Sequence, residues 1–204
     1  MGTTTNVISG PAKVWYAAAG TALPASLDSD ADAILADSVW TTATYAELPF
    51  TIDGGTIELS TDIYKHNVNE CLGAIGGTIQ AIEGRLTLEL AESHAVAQLL
   101  ANANGKNTTV AAGSSQVGKT EFSLDMSDNA PLFYTIAIAT LTGGGKSDIW
   151  ICPKVSPSGT VGTAFKKGAI RTLPITFDIY EDPDAADTQN RFFQRHYMTA
   201  IPTS

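Results

Sequence analysis

The stretch from Gly77 to Gly105 changes its hydrophobic period halfway, and this change constrains the fold more than any other feature of the chain. From Arg85 to Leu90 polar and apolar side chains alternate, which is typical of a half-buried β-strand. From there the apolar residues recur at helical spacing and form one stripe, made of Ala91, Ala95, Val96, Leu99, Leu100 and Ala103. We therefore predict one helix, over about residues 91–104, directly after a strand.

The other periodic segments indicate strands. Polar and apolar residues alternate over residues 57–64, 122–126 and 173–180, and shorter apolar runs cover 13–19, 132–141 and 148–152. Residues 21–37, 106–118 and 156–168 are expected to be loops, and Asp53-Gly54-Gly55 a turn. This pattern predicts a mainly β protein, an antiparallel sandwich or barrel with the helix on one flank. We expect a flexible arm over residues 1–11, a single β domain over 12–182 and a C-terminal extension over 183–204.

The charge balance excludes one broad class of function. The formal net charge is −9 and the pI is about 4.6, so the chain is not expected to grip nucleic acid by neutralising phosphates. An acidic surface can instead line a path along which nucleic acid slides without sticking. No apolar run has the length of a membrane span, and the first ten residues lack the pattern of a secretory signal. Cys71 and Cys152 are isolated, so we predict two buried thiols in a reducing cytoplasm.

One motif has the full P-loop spacing. Residues 113–120, GSSQVGKT, match it, but phosphate binding there needs a strand before the motif and a helix after it. The following residues, EFSLDM, alternate like a strand. We therefore predict that this segment does not bind a nucleotide.

The remaining candidates for chemistry are incomplete. Asp28, Asp30 and Asp32 resemble the start of a calcium loop, but the loop glycine and the final glutamate are replaced by Ala33 and Val39. The three histidines and two cysteines lack zinc-ligand spacing, and no nucleophile elbow is present. The sequence thus predicts a protein that is not an enzyme and that uses no cofactor or metal.

Long alternating strands leave open sheet edges, and open edges recruit further strands. Few strand ends in this chain carry the lysines or prolines that usually block an edge. Pairing each edge with the next copy of the same chain, until a ring closes, removes the edges altogether. A ring-forming subunit is therefore consistent with the strand pattern.

Four segments, taken in order, carry a resemblance to a known family. They are GPAKVWYAAAGTALPA from Gly10, Trp40 with the glycine turn and residues 56–62, RLTLELAESHAVAQLLANA from Arg85, and GAIRTLPITFDIYEDPDA from Gly168. In this order they resemble the major tail tube proteins of long-tailed, siphovirus-type bacteriophages. The likeness covers about residues 10–185.

The resemblance implies a structural protein of the virion tail, assembled in the cytoplasm of the bacterial host. In that family six protomers form a ring, each gives strands to a continuous inner β-barrel, and the rings stack into a tube. DNA passes through the lumen during ejection without specific binding, and no membrane is involved. Tape measure, terminator and distal tail proteins are the implied partners. Related tube folds occur in contractile tails.

Two sets of residues are candidates for these roles. The carboxylates expected to face the lumen are Glu58, Asp62, Glu83, Glu89 and Asp178. The residues expected to make contacts between rings are Phe192, Phe193, Tyr197 and Met198, because apolar residues in the C-terminal extension need cover that a neighbour can provide. An alternative from another class is a monomeric β-sandwich binding module, such as an adhesin or a carbohydrate-binding domain. That alternative requires exposed aromatics clustered on one face, whereas Trp15, Trp40 and Trp150 are scattered along the chain.

Overall fold

The fold is mainly β with antiparallel sheets, as the alternation predicts, and the described residues include two short helices, where one was predicted. The computed structural model describes residues 12–24, 27, 37–48, 51–66, 76–91, 95–125, 130–142, 146–159, 162, 172–185 and 190–197. The described elements are β1 (Lys13–Ala18), α1 (Asp37–Thr42), β2 (Ala46–Glu47), β3 (Thr51–His66), β4 (Gly76–Leu90), α2 (Ala95–Ala101), β5 (Gly105–Val110), β6 (Lys119–Leu124), β7 (Tyr134–Thr142), β8 (Lys146–Ser158), β9 (Leu173–Ile179) and β10 (Gln194–Tyr197).

Eight strands form one antiparallel sheet in the order β2-β1-β7-β8-β9-β4-β3, with β10 paired to β8. One edge of β8 runs along β7. Its other edge is divided between two strands, because β10 pairs with residues 148–151 and β9 pairs with residues 155–158. β5 and β6 form a separate hairpin, which packs against α2.

Two hydrophobic clusters cover the two faces of this sheet. On one face, leucines and isoleucines of β4, β7 and β9 pack beneath Ala97 and Leu100 of α2. On the other face, Trp15 of β1 stacks on Trp40 of α1, with ring centroids 4.6 Å apart and an interplanar angle of 11°. This stack and Tyr45 close the second cluster against β7 and β8. Each described helix therefore packs against one face of the sheet.

Several boundaries differ from the sequence prediction. The helix α1 begins at the last residue of the connection expected over 21–37 and was not predicted, and the predicted helix over 91–104 is described only as Ala95–Ala101. β5 occupies part of the expected loop over 106–118, because its strand bonds go to β6 although its side chains are largely exposed. Asp53-Gly54-Gly55 is not a turn: β3 runs through it, with a register shift between Thr51 and Gly55. β8 continues to Ser158, past the end expected at residue 152.

The C-terminal extension is joined to the sheet through β10. Arg195 donates two hydrogen bonds to the carboxylate of Asp148, from Nε to Oδ1 at 3.0 Å and from Nη2 to Oδ2 at 2.7 Å. The same guanidinium lies over the ring of Trp150, 4.6 Å from its centroid, and Trp150 in turn meets Phe193 edge to face. The extension therefore finds partners inside its own chain.

Candidate assembly interface

The far end of the β3–β4 hairpin extends beyond the rest of the sheet. We call residues 57–66 of β3 and 76–84 of β4 the distal hairpin. β9 pairs with β4 only from Gly84 to Leu90, so residues 76–83 of β4 have no described strand on that side. β3 pairs with β4 alone among the described strands, so no described strand lies along its outer edge. The distal hairpin thus presents two open edges.

Strand alternation gives the hairpin two chemically different faces. The apolar face is the one that carries Leu86, Leu88 and Leu90, which are buried in the core near the base of the hairpin. Gln80 is the extra residue of a β-bulge, because Asp62 pairs with Ala81 and Ile63 pairs with Ile79. The apolar face therefore continues outward through four large side chains that remain 49–59% exposed: Leu59, Ile63, Ile79 and Ile82.

Cover from the chain itself ends at Gly84. A Cβ atom at this position would lie 2.9 Å from Cδ1 of Ile179 and 3.0 Å from Cζ of Phe192, so both side chains close over the glycine. The next residue of β4 on the same face, Ile82, is exposed. The row of Gly84, under Phe192, is therefore the last row of β4 that the core covers, and the exposed part of the apolar face begins at the next row.

The opposite, acidic face gathers the predicted lumen residues. Glu58 lies opposite Arg85, and Arg85 lies opposite Asp178, in one row across β3, β4 and β9. Because side chains alternate along each strand, all five predicted carboxylates share this face: Glu58, Asp62, Glu83, Glu89 and Asp178. Their role in lining a lumen stays a prediction.

Arg85 is the one lysine or arginine on this face of β3, β4 and β9. Its Nε lies 3.4 Å from Oδ1 of Asp178, and both side chains are partly exposed. A pair of this kind contributes little to stability because water screens it. The face therefore keeps a clear excess of negative charge.

The predicted contacts between rings are only partly described. Phe192 and Phe193 are partly buried and pack against the hydrophobic core of their own chain, so part of their cover comes from within the chain. Tyr197 is 40% exposed and lies 5.6 Å from the guanidinium of Arg195. Met198 lies outside the described residues. A role for these residues between rings stays a prediction.

The P-loop-like motif forms part of a hairpin. Gly113 and Gln116 form an isolated β-bridge, and Lys119 opens β6 opposite Val110. The Nζ of Lys119 pairs with the carboxylate of Glu121 in the same strand. The strand predicted after the motif is confirmed, and a strand cannot supply the helix N-terminus that a P-loop uses to hold phosphate.

Other candidate groups give no site in the part of the chain that the structure describes. No group of three or more His, Cys, Asp or Glu residues there has the arrangement to hold a metal ion. Asp28, Asp30, Asp32, His94 and Cys71 lie outside that part. Cys152 is buried, and burial raises the pKa of its thiol to about 12, which keeps it protonated and unreactive. Neither described helix has the length and apolarity to cross a membrane.

Comparison with known proteins gives structural likenesses but no family. No protein-family model and no curated protein matches the chain. A chain in the 6-fold symmetrised cryo-EM structure of the anti-feeding prophage (AFP) baseplate is similar at 10% sequence identity, over 95% of this chain and 97% of that chain, with a TM-score of 0.46.

Proposed function

We propose that the chain is a structural subunit of a phage tail tube, which closes into a ring by joining its distal hairpin to those of identical neighbours. The single observation that carries this proposal is the distal hairpin itself, with two open edges and an uncovered apolar face. Open strand edges and exposed apolar strips both mark surfaces that another chain covers. The resemblance to tail tube proteins implies six copies per ring and stacking of rings.

Copies of the hairpin can join head to tail. Around a common axis, the β3 edge of one copy meets the β4 edge of the next, and such a contact gives a closed ring when the rotation closes. The strands then form one barrel with an apolar and an acidic side. The apolar side would pack against the surrounding domains, and the acidic side would face the hole.

The acidic face suits a passage for DNA. Carboxylates of β3, β4 and β9 outnumber the one guanidinium among them, so phosphates passing along the face are repelled rather than held. This supports a conduit that DNA crosses without specific binding. The tail of the virion would be its location, with tape measure, terminator and distal tail proteins as partners.

The rival proposal is a monomeric β-sandwich binding module. Such a module needs exposed aromatic rings on one face, but Trp15 and Trp40 are fully buried and Trp150 is half-buried under Arg195. The tryptophans of this chain therefore serve the core. Binding on a glycan array by a protein that stays monomeric would favour the rival.

The test is assembly of the purified protein as a function of concentration, followed by sedimentation and negative-stain microscopy. We expect rings or tubes with a central hole. The double variant Ile79→Ser/Ile82→Ser removes two half-exposed side chains, and completing the burial of each contributes about 1 kcal/mol. The concentration at which assembly begins should therefore rise roughly 30-fold.

Val117→Ser is the matched control, since Val117 is 81% exposed but lies in the connection between β5 and β6. This variant should assemble like the parent if the hairpin carries the contact. Circular dichroism verifies that each variant is folded. Compact monomers at every concentration and salt condition would overturn the proposal.

A further inference from the structure

Resting on the ring proposed above, we propose that one specific register joins neighbouring copies. Residues 56–62 of β3 in one copy pair antiparallel with residues 76–83 of β4 in the next, with Thr56 opposite Glu83. The partner is therefore a second copy of this chain. The residues that select the register are the carboxylates and the apolar side chains of the distal hairpin.

The direction of pairing follows from the two edges. β3 and β4 run in opposite directions, so copies rotated about an axis along the hairpin place β3 against a neighbouring β4 in antiparallel orientation. Each copy then uses both of its open edges. A two-fold pairing of β3 with β3 would leave residues 76–83 of both copies open.

β9 limits how far the neighbour can slide along β4. From Gly84 onward that edge of β4 is occupied by β9, so an incoming strand can pair only with residues 76–83. Placing Ser60 opposite Glu83 would push residues 56–59 into rows that β9 already fills. Placing Thr56 there keeps residues 56–62 clear of β9, and the register shift between Thr51 and Gly55 is a place where β3 can bend away from the neighbour.

Charge separates the remaining registers. Faces must match, so β3 can shift only by two residues at a time. A shift that brings Glu58 opposite Glu83 sets two carboxylates against each other, and like charges directly opposite are destabilising. With Thr56 opposite Glu83, Glu58 faces Ala81 and no two carboxylates are directly opposite.

The same register also pairs the apolar side chains. Because Gln80 is the extra residue of the bulge, the row after Ala81 is that of Ile79. Ile57 then faces Ile82, and Leu59 faces Ile79, on the apolar face. A further shift by two residues would leave Ile82 opposite Gly55, so that only one row would pair two large apolar side chains. The proposed register thus has no opposed carboxylates and pairs large apolar side chains in two rows.

Disulfide trapping tests this register. Ser60 and Thr78 are directly opposite in it, and opposite residues of antiparallel strands have Cα atoms about 4.5–5.5 Å apart, which suits a disulfide. Within one chain Ser60 faces Glu83 and Thr78 faces Tyr64, so the two are offset by four residues, about 13 Å along the strand. The variant Ser60→Cys/Thr78→Cys can therefore form this bond only between copies.

The experiment oxidises assembled protein and separates it on a denaturing gel without reductant. We expect a ladder of covalent oligomers for Ser60→Cys/Thr78→Cys. We expect none for the parent or for Asp62→Cys/Thr78→Cys, which reports the register shifted by two residues. Microscopy of the same samples shows whether rings are present.

The outcomes distinguish the register from the function. Rings with a ladder from Asp62→Cys/Thr78→Cys, or rings with no ladder from either variant, would overturn the register and leave the ring intact. A product that stops at dimers would indicate β3 paired with β3 and would also overturn it. Failure of the parent to form rings under any condition would count against the proposed function itself.

Discussion

Replacing Arg195 by alanine should destabilise the fold through a charge buried in the main sheet. The side chain of Asp148 is 0% exposed, and Arg195 supplies both of the hydrogen bonds described for its carboxylate oxygens. Arg195 itself is 44% exposed. The variant would leave a carboxylate without its counter-ion in a site that water does not reach in the parent.

The magnitude follows from this asymmetry. Removing one partner of a buried ion pair costs about 3–5 kcal/mol. The guanidinium is partly solvated, so water already screens part of the attraction, and we expect a loss of about 2–3 kcal/mol in the free energy of unfolding. For a chain of this length that corresponds to a decrease in Tm of about 5–10 °C.

The pH dependence has a definite sign. The hydrogen bonds to Asp148 raise the pKa of Arg195 above its ordinary value. The contribution of a group with a raised pKa is complete below its ordinary pKa and is lost only as the pH rises past the folded value. The difference between parent and variant should therefore be constant between about pH 6 and 9, where the guanidinium stays charged.

Urea and thermal unfolding, both followed by tryptophan fluorescence, measure the free energy of unfolding and the Tm, at a protein concentration low enough to prevent assembly. Arg191→Ala is the matched control, because Arg191 lies in the same segment and pairs at 3.6 Å with Glu181, whose side chain is 66% exposed. The control should lose at most about 1 kcal/mol. A Tm for Arg195→Ala within 1 °C of the parent, or a loss seen only in assembled protein, would refute the reasoning.

Three further predictions concern other parts of the fold. Burial raises the pKa of Cys152 from 9.0 and that of Tyr45 from 10.0, both to about 12. The unfolded chain therefore loses these protons at a lower pH than the folded chain, and the free energy of unfolding should fall as the pH rises above about 9. Unfolding midpoints at pH 8 and 10.5 test this, and equal midpoints would contradict it. Gly84→Ala should lower the Tm and displace the ring of Phe192, because the new methyl group would lie 3.0 Å from it; an unchanged Phe192 environment by NMR would show otherwise. Rings carrying Asp62→Lys/Glu83→Lys should retain double-stranded DNA in cosedimentation at low salt and release it as salt increases, and retention equal to that of the parent would argue against an inward acidic face.

The elements that could be predicted from sequence are those with one buried face. In β9 and in the last residues of β4, from Leu86 to Leu90, every second side chain enters the core, so alternation marks them, and the stripe of α2 marks the helix in the same way. α1 has six residues, too few for a clear hydrophobic period. It packs on the sheet through the stacking of Trp40 on Trp15, a contact between residues that are far apart in sequence. β5 has no fully buried side chain, so its strand bonds leave no hydrophobic signal.

The candidate interface shows the same limit. Because side chains alternate along a strand, the sequence alone predicts that Glu58 and Asp62 share a face of β3 and that Glu83 and Glu89 share a face of β4. Joining them on one face requires the register between β3 and β4, which depends on the bulge at Gln80. Sequence also cannot tell that the apolar face of the hairpin stays open, because alternation looks the same whether or not the chain covers it.

The separation along the chain between β4 and its partner β9 has a consequence during synthesis. β4 ends at Leu90 and β9 begins at Leu173, so a ribosome adding about 5–20 residues per second leaves that edge of β4 unpaired for roughly 4–17 s. On nascent chains of the same polysome, β3 and β4 have therefore been synthesised before β9, the strand that pairs with the base of their hairpin. Slow translation or a high density of ribosomes on the mRNA should thus favour association between nascent chains. Faster translation of the residues that follow β4 should raise the yield of soluble protein.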